Sequence, residues 1–320
     1  MSSRFFGGTR EEDLQHWIVL LDSIMDGELA EAMLVAAGER AIPYLKQFLL
    51  DGVPRTIALP RCRAARALGE LGAYTALIAY FREYTLPPDA SVLFAEDAVR
   101  STVARELLRW KTEEVLHVLL NAARQRATGG LVLAIGEFRR AEAVPLLFEL
   151  LEDDFCREEA KDALRKVPAM AHAYAILMIR GWAEVSFPDS FALRRRRATL
   201  QLLEELNVTA EEWNDLREFL DEPDADVVIA TARLGFRVGG EDEQRRIVQA
   251  LFQVSERVHW AQETEIQELL DAHATLAREV AHTVANERRA HGERINWMAP
   301  SWRILRHVLG SELDVAGECA

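Results

Sequence analysis

The sequence predicts an all-α fold, an alpha-alpha superhelix of helical hairpins stacked side by side with capping helices at both ends. Apolar residues recur at spacings of three and four along nearly the whole chain, and strict alternation over a strand's length is hard to find. Breaks rich in Pro and Gly divide the chain into helical segments, mostly of about 10 to 18 residues. One pattern of residues also repeats along the chain, which is typical of a helical array.

The repeat is defined by six aliphatic residues that align as equivalent buried positions, each expected on the second helix of its hairpin: Leu68, Leu107, Ile135, Leu164, Leu202 and Leu234. Successive members are 28 to 39 residues apart. The mean period of about 33 residues accommodates two antiparallel helices and two turns. The two widest gaps predict longer loops near 84–91 and 181–190.

Charged residues recur in the same register. Aspartates stand ten residues before three of the six aligned positions, and arginines stand seven residues before four of them. An aspartate at a helix start accepts hydrogen bonds from first-turn amides and suits the positive end of the helix dipole. An arginine three residues later can reach that aspartate or its counterpart in the next hairpin. We therefore predict a structural ladder made of Asp97, Arg100, Asp154, Arg157, Arg195 and Asp224.

The chain resembles the HEAT-like repeat family, particularly the short repeats related to the phycobilisome lyases. The likeness lies in RAARALGELG at 63–72, EDAVR at 96–100 and AVPLLFELL at 143–151, and it extends over roughly residues 40 to 260. The resemblance implies helix pairs stacked into a curved solenoid, with the recurring Asp and Arg as an internal ladder.

The ends of the chain differ from the middle, because a terminal repeat must cover one face without a neighbour. Residues 9–37 predict an N-terminal helix pair. Residues 241–291 contain neither Gly nor Pro, and within them the apolar residues from Ile266 to Val284 form one stripe, which predicts a long helix. We therefore predict a repeat array with its N-terminal cap over residues 1–240, and a C-terminal helical cap or subdomain, continuous with the array, over residues 241–320.

Composition narrows the function classes. Acidic residues number 52 against 38 Lys and Arg, and a net charge of −14 argues against nucleic acid as a partner. Cys62, Cys156 and Cys319 are far apart, which indicates reduced thiols rather than a disulfide framework or a zinc site. No leader pattern or membrane-length apolar run is present, so we expect a cytoplasmic protein without a membrane partner.

Motifs for catalysis and cofactor binding are absent. The sequence has no GxSxG, no Walker loop, no GxGxxG after a strand and no HExxH. His273, His282 and His291 are nine residues apart, so consecutive members face opposite sides of a helix and cannot share a metal ion. We expect no enzymatic activity, no catalytic residues, no cofactor and no metal.

A partner-binding surface is predicted on the second helices, on the side opposite the aligned residues. In solenoids this row lines the concave face, and here it contains Arg63, Arg66, Arg105, Arg109 and Arg197. Guanidinium groups pair bidentately with carboxylate and phosphate, so the expected partner is another protein or an acidic or phosphorylated peptide. Arg194 and Trp182 are further candidates, since basic clusters and exposed aromatics serve as contacts. The oligomeric state is left open.

Three interpretations of function remain open. The favoured one is a non-catalytic protein-binding scaffold or adaptor that uses the concave face. The resemblance also implies a HEAT-like enzyme or enzyme partner, either a bilin lyase-type chaperone or an alkylpurine DNA glycosylase, which would need a basic groove. The acidic run 211–226 indicates a third, an inhibitor or immunity-type protein for a basic partner.

Overall fold

The chain is all-helical, as predicted, in the computed structural model. The model describes residues 10–51, 56–182 and 189–315, and these ranges contain helices and turns but no strand. Contacts divide the chain into two compact units, Met1–Val167 and Pro168–Ala320.

The first unit is a series of helical hairpins. Its helices are α1 (Glu11–Leu20), α2 (Gly27–Ala36), α3 (Ile42–Asp51), α4 (Leu59–Glu70), α5 (Tyr74–Glu83), α6 (Ala90–Leu107), α7 (Glu113–Gln125), α8 (Gly129–Gly136), α9 (Val144–Glu149) and α10 (Arg157–Arg165). Short 3-10 turns span Gly38–Ala41, Ala141–Ala143 and Leu150–Glu152. Each even-numbered helix packs against the next even-numbered one, from α2 through to α10. We call these five helices the inner layer.

The second unit follows the same plan. Its helices are α11 (Pro168–Trp182), α12 (Ser190–Leu206), α13 (Trp213–Leu216), α14 (Ala225–Val238), α15 (Glu241–Val254), α16 (Trp260–Ala272), α17 (Ala274–Ala290), α18 (Pro300–Leu309) and α19 (Glu312–Val315), with 3-10 turns at Arg217–Asp221 and Ser255–Arg257. Here too α12, α14, α16 and α18 pack in sequence. The hairpin pattern continues past residue 240, and the predicted boundary between array and cap stays a prediction.

The prediction of one long helix with the stripe from Ile266 to Val284 is wrong, because residues 241–290 form three helices, and the stripe is divided between α16 and α17. A new helix begins after His259, whose ring accepts from the amide of Gln262 while the Gln262 side chain accepts from the amide of His259. The second break falls at His273, whose ring stacks on Phe236 with centroids 3.8 Å apart. Burial lowers the pKa of His273, which is consistent with a packed, neutral side chain.

The six aligned aliphatic residues occupy equivalent positions. Each lies on a different even-numbered helix, from α4 to α14, and each is at most 1% exposed. A single register in the sequence therefore identifies the buried side of successive second helices.

Glycine allows the helices of the inner layer to approach each other closely. A Cβ atom on Gly136 of α8 would lie 2.6 Å from the Cβ and 2.9 Å from the Cα of Ala163 on α10. A Cβ atom on Gly130 would lie 2.4 Å from the Cβ of Ser101 on α6. Carbon atoms in protein interiors pack at about 3.5–4.0 Å, so larger residues at either position would push the helices apart.

Replacing Gly136 by alanine should lower the free energy of unfolding by about 1–3 kcal/mol, because the main chain of α10 would have to move. Gly181 in α11 is the matched control, since no described atom lies within 4 Å of its Cβ position. There alanine should stabilise by about 0.5 kcal/mol through helix propensity and reduced chain entropy. Urea denaturation followed by circular dichroism measures both effects. Equal changes in the two variants would contradict the close approach of α8 and α10.

A buried ion pair joins α4 to α6. Arg61 and Glu96 are 6% and 2% exposed, and their side chains are in direct contact. Arg61 Nε also donates to the carbonyl of Leu49 at the end of α3, at 3.1 Å. The Glu96 carboxylate accepts from the hydroxyls of Tyr80 and Tyr84. Burial and the neighbouring carboxylate raise the pKa of Tyr80 well above its ordinary value, so it remains a donor. The network satisfies its own polar groups inside the core.

Removing the arginine from this network should be costly. Arg61→Met leaves the Glu96 carboxylate buried without its cation, and a loss of about 3–5 kcal/mol in unfolding free energy is expected. The control is Arg82→Met, which breaks an ion pair with Glu114 whose side chains are both about half exposed. That change should cost less than about 1 kcal/mol. If urea titrations gave similar losses of unfolding free energy for the two variants, the buried pair would contribute no more to stability than an exposed pair.

Candidate functional site

Arg63 does not lie on an exposed surface as expected. It is 3% exposed, and its Nη1 donates to the carbonyls of Leu21 and Ser23, each at 2.8 Å. Gly27, the first residue of α2, lies directly against its guanidinium. Because α2 covers this position of α4, the Arg63 guanidinium serves as a buried donor to main-chain carbonyls and is not accessible to a partner.

The other predicted arginines of the first unit differ in their contacts. Arg66 binds Glu31 of α2 bidentately, with N–O distances of 2.9 and 2.7 Å. Arg109 donates to Glu106 at 2.9 Å. Arg105 is exposed and makes no hydrogen bond or ion pair with the described residues. Glu31 and Glu106 thus bind the guanidinium groups that were expected to bind a partner's acidic groups. Arg105 alone of these three arginines has no such contact among the described residues.

The candidates in the second unit are also engaged internally. Arg197 Nε donates to Asp224 at 2.9 Å, in a two-pronged pair between α12 and α14. The Arg194 guanidinium lies 4.6 Å from the ring centre of Phe191. Trp182 is half-buried at the end of α11. The partner-binding role of these three residues stays a prediction.

The ladder differs from its expected form at Asp97 and Arg100. Asp97 was expected at a helix start, but α6 begins about two turns earlier with Asp89 as its cap, which accepts from the amide of Ser91. Asp97 instead binds Arg126 bidentately at 2.6 Å. Arg100 donates to the carbonyl of Arg126 at 3.1 Å rather than to an aspartate.

The remaining ladder residues follow the expectation in part. Arg157 donates to Asp154 at 2.5 Å, which is the expected pairing of residues three apart. Asp154 lies before the N-cap of α10, so it is not the cap. Asp224 does cap α14, where it accepts from the amide of Val227 at 3.1 Å. Arg195 is half-buried on α12.

A groove in the first unit arises from unequal helix lengths. Helix α6 has 18 residues, whereas α8 has 8 and α10 has 9. Measured from the aligned residues, α6 begins about three turns before α8 does. Residues of α6, of the N-terminus of α8 and the loop before it, and of the turn before α10 line a groove at this place. The space between them is about 420 Å³.

Two exposed phenylalanines line this space. Phe94 on α6 is 70% exposed, and Phe155 in the turn before α10 is 85% exposed. Ala98, Gly129 and Cys156 also line the groove. Exposed aromatic rings around a concavity are typical of interaction sites, because their apolar surface is covered only when a partner binds. We call this site the Phe94/Phe155 groove.

Local hydrogen bonds fix the shape of the groove. The amide of Phe155 donates to the Asp153 carboxylate at 2.8 Å, which closes a tight turn and directs the ring outward. Thr128 caps α8, and its hydroxyl lies 3.0 Å from that of Ser101 on α6. The Asp97–Arg126 pair forms part of the rim. The walls are therefore held in place before any partner binds.

The cysteine thiols of the described residues are weak nucleophiles. Burial, followed by the neighbouring Asp153 and Glu159 carboxylates, raises the pKa of the Cys156 thiol to about 12. Burial also raises the pKa of Cys62. A protonated thiol is a weak nucleophile. Across the described ranges, no group of His, Cys, Asp and Glu has the arrangement needed to hold a metal ion. Cys319 lies outside the described residues.

Cys156 should therefore react slowly with thiol reagents. Its pKa is raised to about 12, so the fraction of Cys156 present as the reactive thiolate at neutral pH is minute. In a Cys62→Ser, Cys319→Ser background, reaction with a chromogenic disulfide should be about a hundredfold slower in the folded protein than in concentrated urea. Comparable rates in the two conditions would show that the thiol is activated in the fold.

The acidic run 211–226 is largely committed to internal contacts of the second unit. Asp215 accepts from Arg180 at 2.9 Å, and Asp221 accepts from Arg246 at 2.8 Å. Arg196 also pairs with Glu222, and Arg197 pairs with Asp224 and Asp226, so five of the eight carboxylates of the run are bound to arginines of the chain. These pairs weaken the case that the run forms the surface for a basic partner.

Sequence reasoning missed Phe94 and Phe155. The available signal was the 39-residue gap between Leu68 and Leu107, which was interpreted as a longer loop. Part of that extra length is the N-terminal extension of α6, and this extension builds the groove.

Comparisons with known proteins give no family. Neither the family models nor the curated proteins contain a match to this chain. Within the part of the chain that the structure describes, no helix combines the length and apolar character that crossing a bilayer requires.

Proposed function

We propose that this protein is a non-catalytic protein-binding module, a HEAT-like scaffold or adaptor that holds a segment of a partner protein against its inner layer. The observation that supports this most strongly is the pair of exposed phenylalanines that line a preformed groove. The stacked second helices of the first unit, with their shared buried register, support the proposal of a solenoid-type repeat.

The partner segment is expected to place an apolar side chain between Phe94 and Phe155. Stacking of an aromatic or large aliphatic side chain there would remove both rings from water, and such buried anchors carry most of the energy in interfaces. The main-chain and side-chain hydrogen bonds around the groove reduce the ordering cost of binding.

Arg105 gives the segment a second contact. Phe94, Ala98, Ser101 and Arg105 succeed one another at spacings of four, three and four, so they share one face of α6. From Ala98 to Arg105 the helix rises by about 10 Å, which an extended peptide spans in about three residues. We therefore expect a carboxylate or phosphate about three residues from the apolar anchor, bound bidentately by the Arg105 guanidinium.

Selection from a display library of random peptides tests this proposal. Peptides recovered on the wild-type protein should share an aromatic or large aliphatic residue with Asp or Glu about three residues away. For one such peptide, Phe155→Ala and Arg105→Glu should each weaken binding by about tenfold or more, because each removes a central contact. Fluorescence anisotropy of the labelled peptide measures the affinities.

Two control variants separate this site from general effects. Trp260→Ala removes an aromatic ring that is 81% exposed, and Arg278→Glu makes the same charge change at another exposed arginine. Both controls should bind like the wild type, with unchanged thermal unfolding. If Phe155→Ala and Arg105→Glu also bind like the wild type, the groove is not the binding site.

A further inference from the structure

Helix α2 turns an apolar face outward. Leu29 and Met33 are 56% and 39% exposed, and Ala32 and Ala36 lie on the same face at helical spacing. The opposite side of the helix is packed through Ala30 and Leu34, which are fully buried. A surface helix ordinarily carries polar residues on its outer side, so α2 departs from this pattern.

The turn before α2 extends this apolar surface. Ile24 and Met25 are 86% and 88% exposed. We call the outward residues Ile24, Met25, Leu29, Ala32, Met33 and Ala36 the α2 face. Contiguous exposed apolar surface of this kind marks an interaction site.

The acidic residues around the α2 face indicate the charge of the partner that it can bind. Residues 11–39 contain eight Asp and Glu and no Lys or Arg, and one of the eight, Glu31, is paired with Arg66 of α4. Asp26 and Glu28, next to the apolar residues, are exposed. A second copy of the chain would bring two such acidic surroundings together, and like charges across an interface are unfavourable. The complementary partner carries Lys and Arg beside its apolar residues.

We propose that the α2 face docks a basic amphipathic helix of another protein. Unbranched methionine side chains adapt to the shape of a partner's apolar residues, and Met25 and Met33 supply this property. A helix laid against α2 would bury its apolar stripe while its basic flanks meet Asp26 and Glu28, which is a recurring mode of peptide recognition. This site does not depend on the Phe94/Phe155 groove.

A designed peptide tests the proposal on the full chain. The probe is a helical peptide of about 14 residues, with Leu on one face and Lys on the other, and the control peptide has the same composition in scrambled order. The probe should bind one to one by calorimetry, and the scrambled peptide at least about tenfold more weakly. The double variant Leu29→Ser, Met33→Ser should weaken probe binding by about tenfold or more.

Two variants outside the α2 face serve as controls for probe binding. Leu177→Ser, which removes a leucine that is 64% exposed on α11, should leave probe binding unchanged. Phe155→Ala should also leave it unchanged, which separates this site from the groove. Equal binding of the scrambled peptide, or undiminished binding by the double variant, would overturn the proposal. So would a wild-type dimer in light scattering that the double variant dissociates, since a second copy would then occupy the face.

Discussion

Direct packing of each second helix on the next is the constraint on which the rest of the first unit depends. At the crossings of α6 with α8 and of α8 with α10, glycine is required because a Cβ would meet Ser101 or Ala163. At this spacing, charged side chains on neighbouring helices come within reach of each other. Lys166 binds Glu137 at 2.6 Å for this reason. Close packing therefore also determines which charges remain open on the surface.

The groove follows from the same constraint. A helix packed side by side with its neighbours is covered only along the length that they share, and α6 is longer than α8 and α10. Its extension lies beyond the end of α8, so Phe94 has no helix beside it to cover its ring. Phe155 is exposed for a related reason, since it lies in the turn before α10 begins. Unequal helix lengths in an otherwise regular layer thus create a concave apolar site.

The sequence predicts burial better than it predicts helix length or charge pairing. The helical spacing of apolar residues and the register of the repeat correctly predicted that Leu68 and Leu234 are buried, because one side of each helix faces the core at every turn. The start of α6 was misplaced because Asp97 matched the pattern of a cap, while the true cap, Asp89, lies outside the repeat register. The partner of Arg66 could not be predicted, because Glu31 is 35 residues away and meets it only after α2 packs on α4. The break before α16 was missed since histidine is not a typical capping residue.

The distribution of charge gives the first unit two surfaces with different preferences. Residues 11–39 carry eight acidic side chains without a basic one, out of a net charge of −14 for the whole chain. Such a concentration produces a local negative field that attracts basic partners over about a Debye length of 8 Å. Around the groove, by contrast, Arg126 offsets Asp97, and Arg105 is an open cation on the same helix. We therefore expect the groove, through Arg105, and the α2 face, through its carboxylates, to favour segments of opposite charge.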